Sequence, residues 1–158
     1  MSAVVIRSYR RSDRQAVLRI TEESFGGFCL EANMEEHFGL IADTSWQQRK
    51  RSGIDYDLRC NPQHAFVAEK DGEVVGYLCS RLYRDQKMGH IANLAVVTRE
   101  QRQGIGKMLL AAALDHFRDC GMGYARIETL ERNFKGRKLY PAFGFKEVGR
   151  QVFYMREL

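Results

Sequence analysis

Apolar positions along this chain switch between a period of two and a period of three to four, and the switches mark out its elements. Residues 4–7 are a short, mostly β-branched run that reads as an opening strand. Ser12-Asp13-Arg14-Gln15 has the Ser-x-x-Gln form of a capping box, and Ala16, Val17 and Ile20 follow at helical spacing. A first helix is therefore expected up to Ser24, where Gly26-Gly27 breaks it. Asn33-Met34-Glu35-Glu36 reads as a second helix start, with Met34, Phe38 and Ile41 as its apolar stripe. Residues 42–62 are ambiguous and read as more helix followed by loop. Alternation becomes clear from residue 65. Residues 65–70 form a strand, Asp71-Gly72 a tight hairpin turn, and residues 73–82 the partner strand. Residues 85–89 turn the chain into a continuous apolar run at 90–97, which reads as a buried strand. A helix follows, with Ile105, Met108, Leu109, Ala112, Ala113 and Phe117 facing the core and Gly121 as its stop. Residues 125–130 make a fifth strand. Asn133 caps a short helix through Tyr140, which Pro141 helps to end, and residues 145–148 and 152–155 read as two last strands.

The predicted order is one strand, two helices, three antiparallel strands, a helix, a strand, a helix and two strands. At 158 residues the chain is expected to be a single domain, 1–158, with a core large enough to need no metal or disulfide staple. The fold class is α/β, in the form of an α+β sandwich.

Two glycines stand where the buried strand turns into its helix, in Gln101-Arg102-Gln103-Gly104-Ile105-Gly106, with Lys107 behind them. The first turn of a helix has backbone N–H groups without intrahelical partners, and the helix dipole makes that end positive. Glycine lets an anion approach this backbone. Arg99, Arg102 and Lys107 surround the same turn, and a cation in a first helical turn opposes the dipole unless an anion meets it. The loop has no Gly-Lys-Ser/Thr ending and no third glycine at dinucleotide-binding spacing, which excludes those two phosphate loops.

The Gln/Arg-x-x-Gly-x-Gly/Ala pattern resembles the pyrophosphate loop of the GNAT acyltransferase superfamily. The segment from Asn133 through Leu139, Tyr140, Gly144 and Phe145 is similar to a second motif of that family, in the subgroup of ribosomal-protein alanine acetyltransferases. The predicted element order is also the family's, so the resemblance covers almost the whole chain. It is weakest at residues 26–62, where acceptor substrates differ within the family. The resemblance implies a mixed, mostly antiparallel central sheet of about seven strands, about four flanking helices, and a splay between strands four and five. It implies acetyl-CoA as co-substrate, with no metal.

Carried over residue by residue, the resemblance places the diphosphate on the backbone of Arg102, Gln103, Gly104, Ile105, Gly106 and Lys107. It places the pantetheine arm along Leu94, Ala95 and Val96, whose side chains also suit plain core, and a contact to that arm on Asn133, which equally suits a helix N-cap. Tyr140 takes the part of general acid, since a phenol keeps its proton at neutral pH and can give it to a thiolate. Its alternative is packing beside Phe143 and Phe145. Glu128 is the first candidate for general base, if burial raises its pKa. Its alternative is a surface carboxylate paired with Arg126 or a nearby lysine. His90 is the runner-up, and Glu131 stands behind both.

Charge and cysteines limit the remaining possibilities. The net charge of +5 is uneven: residues 20–48 hold six acids (Glu22, Glu23, Glu31, Glu35, Glu36, Asp43) and no Lys or Arg. This segment is expected to draw a cationic acceptor, or simply to be two helices with solvated acidic faces. The scattered basic residues carry no nucleic-acid-binding motif, so no nucleic acid is expected. No apolar run has membrane-spanning length, the start does not read as a signal peptide, and Cys29, Cys60, Cys79 and Cys120 form no Cys-x-x-Cys pair. These features fit a cytoplasmic protein without a zinc or disulfide framework. The expected activity is N-acetyl transfer to a small or cationic amine. The alternatives are a protein N-terminus or lysine as acceptor, and a non-catalytic acetyl-CoA-binding module. Dimers are common in the superfamily, so a homodimer is admitted.

Overall fold

Strand β1 (Val5–Ser8) pairs antiparallel with β2 (Ala65–Lys70), β2 with β3 (Glu73–Tyr83), and β3 with β4 (Met88–Val96). Strand β5 (Tyr124–Ile127) lies parallel to β4. In the computed structural model, which describes residues 3–26 and 29–158, these form one sheet in the order β1-β2-β3-β4-β5. A parallel neighbour needs a crossover, and helix α4 (Ile105–Asp119) supplies it. The other helices are α1 (Arg14–Ser24), α2 (Leu30–Phe38), α3 (Trp46–Cys60) and α5 (Phe134–Ala142). Among the described residues, no helix is long and apolar enough to cross a membrane.

Adjacent residues of β3 show how the layers form. A Cβ at Gly76 would lie 3.3 Å from Leu109 of α4, whereas the Tyr77 hydroxyl sits 2.7 Å from Thr21 Oγ1 of α1. Successive strand residues point to opposite faces, so α4 and α1 cover opposite sides of the sheet. Helix α4 buries Ile105, Leu109, Leu110, Ala113 and Phe117, each large side chain contributing roughly 1.5–3 kcal/mol on burial. Helix α3 joins the α1 layer through buried Asp57, which accepts hydrogen bonds from Arg81 of β3 (2.6 Å) and Asn93 of β4 (3.3 Å). Arg7 joins the start of α1 to the sheet by binding both Asp13 (2.8 Å) and Glu69 (2.6 Å).

Several local expectations are revised. Asp13, not Ser12, organises the entry to α1, accepting from the Arg10 backbone at 2.7 Å, and residues Arg11–Asp13 form a 3-10 turn. Asn33 lies inside α2, which ends at Phe38, so Ile41 belongs to no stripe with it. The ambiguous stretch contains the 15-residue helix α3, started by a reciprocal Ser45–Gln48 capping box. Met108 lies off the 105/109/113/117 row of α4 and is 40% exposed. Pro141 sits within the last turn of α5 rather than after it. The Gly26-Gly27 break falls partly outside the described residues.

The largest departure is the strand count. Residues 145–148 and 152–155 pair with no strand among the described residues, and Val148, Val152 and Tyr154 stand exposed. The sheet therefore has five strands instead of about seven. Alternation records that a segment can bury one face, but a strand also needs an edge to pair with, and the terminal strand β5 is only four residues long.

Candidate active site

The site begins where β4 and β5 part. Their last paired residues are Ile91 and Ile127. Ala92 is an extra residue against β3, since Ser80 pairs with Ile91 and Cys79 with Asn93. A bulge bends its strand and re-aims the residues beyond it. Past this one, one edge of Leu94, Ala95 and Val96 is held by β3 (Leu78, Tyr77 and Gly76), and β5 does not reach the other. A cavity of about 300 Å³ opens on that side. Leu94, Ala95, Val96, Arg102, Gly104, Ile105, Gly106, Lys107, Asn133 and Tyr140 all line it. The structure thus brings together every sequence-predicted cofactor residue except Gln103, and one of the two predicted catalytic residues.

The glycine loop has the backbone expected of an anion cradle. Arg102 and Gly104 both adopt left-handed conformations (φ 67° and 82°), alternating with their neighbours as in a backbone nest. Gly104 is the N-cap of α4, and its carbonyl accepts the first helical bond, from the Met108 N–H. The N–H groups of Ile105, Gly106 and Lys107 are therefore left for a ligand. Among the described residues, Arg102 and Lys107 have no ion-pair partner, whereas Arg99 pairs with Glu73 at 2.9 Å. Gln103 is turned aside: its side chain bonds Glu100 (2.9 Å), which also holds Lys70 (2.7 Å).

Helix α5 forms the opposite wall. Asn133 caps it, accepting from the Gly136 N–H at 3.0 Å while donating to Thr129 Oγ1 at 2.8 Å. Its side chain is thus committed to the cap, even though the residue lines the cavity. Tyr140 lies further along the same helix, its ring edge-on to Phe145 at 6.2 Å. No side chain among the described residues hydrogen-bonds its hydroxyl. Burial pushes its pKa up to about 12, so the phenol stays protonated through the neutral range. A contact the sequence did not reveal ties the walls together. Gln101 donates to the Val96 carbonyl (3.0 Å) and accepts from Lys135 Nζ (2.6 Å). Ser24, at the end of α1, reaches the same carbonyl at 3.2 Å. Ser24, Phe25 and Lys135 also line the cavity, and only their distant partners in the fold bring them there.

The two candidate bases meet each other. His90 Nε2 lies 2.8 Å from Glu128 Oε1. With Glu128 as carboxylate, the imidazole Nε2–H donates and Nδ1 is left as a lone pair; that atom is buried without a partner. Burial holds the His90 pKa below its ordinary value, partly offset by Glu128. Glu128 itself is not buried as expected: its side chain is 66% exposed, and Arg126 approaches it at 3.7 Å. It follows directly on β5 at the fork with β4, outside the lining of the cavity. Glu131 is bound instead to Arg150 at 3.3 Å.

The acidic segment is largely neutralised from within. Helix α3 supplies Arg49 to Glu35 (3.2 Å), Lys50 to Glu31 (4.0 Å) and Arg51 to Glu22 (2.9 Å). Glu36 meets Arg132 at 3.8 Å, and Glu23 accepts from the Thr98 backbone at 2.9 Å. Only Asp43 of the six lacks such a partner among the described residues. The basic residues that offset these acids begin at Arg49, immediately after the acidic window.

The residues present fit acetyl-CoA: helix N–H groups without helical partners and two cations without an ion-pair partner among the described residues suit a diphosphate, and the β4 edge that β5 leaves unpaired suits an amide-bearing arm, the Val96 carbonyl apart. Residues 17–145 match the family model described as the Acetyltransferase (GNAT) family. The chain is similar to a mycothiol acetyltransferase of Thermomonospora curvata, 29% identical over 94 residues that make up 60% of this chain and 31% of that protein. It is similar to an N-alpha-acetyltransferase of Sulfurisphaera tokodaii, 35% identical over 94 residues, 52% of this chain and 56% of that one. The chain therefore spans about half or less of the length of these two relatives. Its fold matches that of the PaiA N-acetyltransferase of Thermoplasma acidophilum, solved with coenzyme A. The TM-score is 0.72, at 18% identity over 91% of this chain and 90% of that one.

Proposed function

The chain belongs to the acetyltransferase (GNAT) family, and on that premise we propose that it transfers an acetyl group from acetyl-CoA to a primary amine. One observation carries the reading: the edge of residues 94–96 that β5 leaves unpaired, the open first turn of α4 and the Tyr140 hydroxyl, which no side chain among the described residues binds, share a single cavity. The diphosphate rests on the N–H groups of residues 102–107 with Arg102 and Lys107 as counter-ions, and the thioester arm lies along Leu94–Ala95–Val96 beside Asn133.

The amine nitrogen attacks the thioester carbonyl carbon directly. The carbonyl oxygen gains charge and takes a hydrogen bond from a backbone N–H near Ala95 or Val96. The C–S bond then breaks, and the sulfur receives the Tyr140 proton, which solvent restores. The proton lost by the amine passes through water to the Glu128–His90 pair, Glu128 fixing the imidazole tautomer.

Pairing of the acidic segment with Arg49, Lys50 and Arg51 supports an N-terminal amine of a peptide or protein over a small polycation, because little uncompensated negative charge is left to attract one. The test is thiol release from acetyl-CoA across polyamines, aminoglycosides, free amino acids, and peptides with free or blocked N-termini. Turnover on free but not blocked peptides supports this acceptor. Turnover on polyamines alone overturns it. Silence across the panel, with acetyl-CoA bound, points to the non-catalytic module.

A further inference from the structure

Helix α4 carries chemistry at both ends. At its C-terminal end, His116 and Cys120 stand one turn apart on the same face. Facing them is buried His64, from the 3-10 turn Pro62–His64 that links α3 to β2. His64 Nδ1 is 2.8 Å from His116 Nε2, and Cys120 Sγ is 3.7 Å from that same nitrogen. One ligand atom from each residue falls within 4.8 Å of the other two. None of the three lines the acetyl-transfer cavity.

We propose that His64, His116 and Cys120 form a three-ligand site for a zinc-class divalent cation, with water as the fourth ligand. Tetrahedral zinc holds two imidazole nitrogens about 3.3 Å apart, and a nitrogen and a thiolate about 3.6 Å apart. The Cys120–His116 separation already matches, and the two imidazoles need to open by only about half an ångström. Two nitrogens and one sulfur are a borderline-soft set that suits zinc or cobalt over magnesium or calcium.

The surroundings hold the ligands in place. The His64 backbone donates to Asn61 (3.0 Å), and its carbonyl accepts from Ser80 Oγ (2.6 Å). Phe66 packs edge-on to the His116 ring at 5.3 Å. Without metal, one imidazole proton lies between the two rings. On binding, that ring shifts its proton to its other nitrogen, and Cys120 gives its thiol proton to solvent. No electron changes hands. The ion ties the end of α4 to the α3–β2 connection, far along the helix from the diphosphate turn, so its contribution is to stability.

The test is titration of the full chain, purified through a chelator, with Co²⁺ and separately with Zn²⁺. One equivalent of Co²⁺ is expected to bind with tetrahedral ligand-field bands and thiolate-to-cobalt charge-transfer absorption, and Zn²⁺ to displace it and raise Tm. Cys120→Ser removes the charge-transfer absorption, and His116→Gln weakens binding at least tenfold. Cys60→Ser, at an exposed cysteine, changes neither. The unmodified protein alone can overturn the proposal, by binding no Co²⁺ or by binding it without thiolate absorption. Charge-transfer absorption that survives Cys120→Ser and vanishes with Cys60→Ser overturns it as well. A hydrogen-bonded histidine pair beside an idle thiol is then the whole content of the cluster.

Discussion

Gly136 and Tyr140 are packed so closely that a Cβ on the glycine would fall 2.9 Å from the tyrosine ring, and 2.8 Å from Asn133 Nδ2. By propensity alone, Gly136 weakens α5. In the fold it leaves room for the Asn133 cap on one side and for the Tyr140 ring, one turn further along the helix, on the other. Gly136→Ala gains about 1 kcal/mol of helix propensity and loses about 1–3 kcal/mol to overpacking. Tm is expected to hold or fall slightly, while kcat drops roughly tenfold or more as the hydroxyl is displaced. A variant with unchanged kcat would show that the position of Tyr140 does not matter.

Tyr140→Phe removes only the hydroxyl, which no side chain among the described residues binds. Its expected signature is a kcat lower by roughly 10²–10⁴ with Tm and acetyl-CoA affinity unchanged. Calorimetry with the non-reacting coenzyme and steady-state thiol release separate the two readouts. Full activity assigns Tyr140 to packing against Phe145.

How much was legible in the sequence depends on the range of each interaction. The anion turn was readable because strand, glycines and helix are contiguous, and the structure puts Arg102, Gly104, Ile105, Gly106 and Lys107 on one cavity. The place of Tyr140 on the cavity wall was readable because a local helix carries it. Helix α3 was obscured by a polar surface and by Gly53, even though its Ser45–Gln48 box is present in the sequence. The acids of α1 and α2 looked unbalanced because Arg49, Lys50 and Arg51, which neutralise them, are neighbours only in space. The exposure of Glu128 depends on where β4 and β5 part, and the Gln101–Lys135 bridge spans a separation that no local period reports. Residues 145–155 failed in the opposite sense: the alternation is real, but no edge pairs with it.

That internal neutralisation changes what the acids are expected to do. Glu35 serves Arg49 and the first turn of α3, so Glu35→Gln should lower Tm by a few degrees. KM for a cationic acceptor should stay within about twofold, because the carboxylate is already compensated. A several-fold rise in that KM with no change in Tm would restore the acidic segment as an acceptor wall.

Histidine burial sets a pH window for stability. His64, His90 and His116 all titrate below their ordinary value of 6.5 in the fold, chiefly through burial. The unfolded chain therefore binds more protons near pH 6 than the folded one. The stability these groups provide is fully present above 6.5 and is lost as pH falls from there toward their folded values. Asp13 and Asp55, lowered by their arginine partners, act in a separate window below 3.8. In the metal-free chain Tm should thus fall in two steps on acidification, and His116→Gln should shrink the first without touching the second. In the proposed reaction neutral His90 is the working form, so kcat/KM should rise through a pH below 6.5 and level off by neutrality. A rate profile that first rises above pH 7 removes His90 from the proton path.

Arg102 and Lys107 face the cavity without carboxylate partners among the described residues, and each should contribute to acetyl-CoA affinity through charge rather than shape. Arg102 also sits in the left-handed region, where Asn is tolerated better than most residues, so Arg102→Asn removes the charge and keeps the turn. Loss of one charge-assisted contact is expected to weaken coenzyme binding roughly tenfold or more, and Lys107→Gln should do the same. Both variants should show a shallower dependence of affinity on ionic strength than the unmodified chain, since less of their binding is Coulombic. Dephospho or truncated coenzymes sharpen the assignment. A pantetheine thioester lacking the diphosphate should bind the unmodified chain and both variants equally. Equal losses for the truncated and the full coenzyme would mean that the two cations support the loop's fold and not the diphosphate.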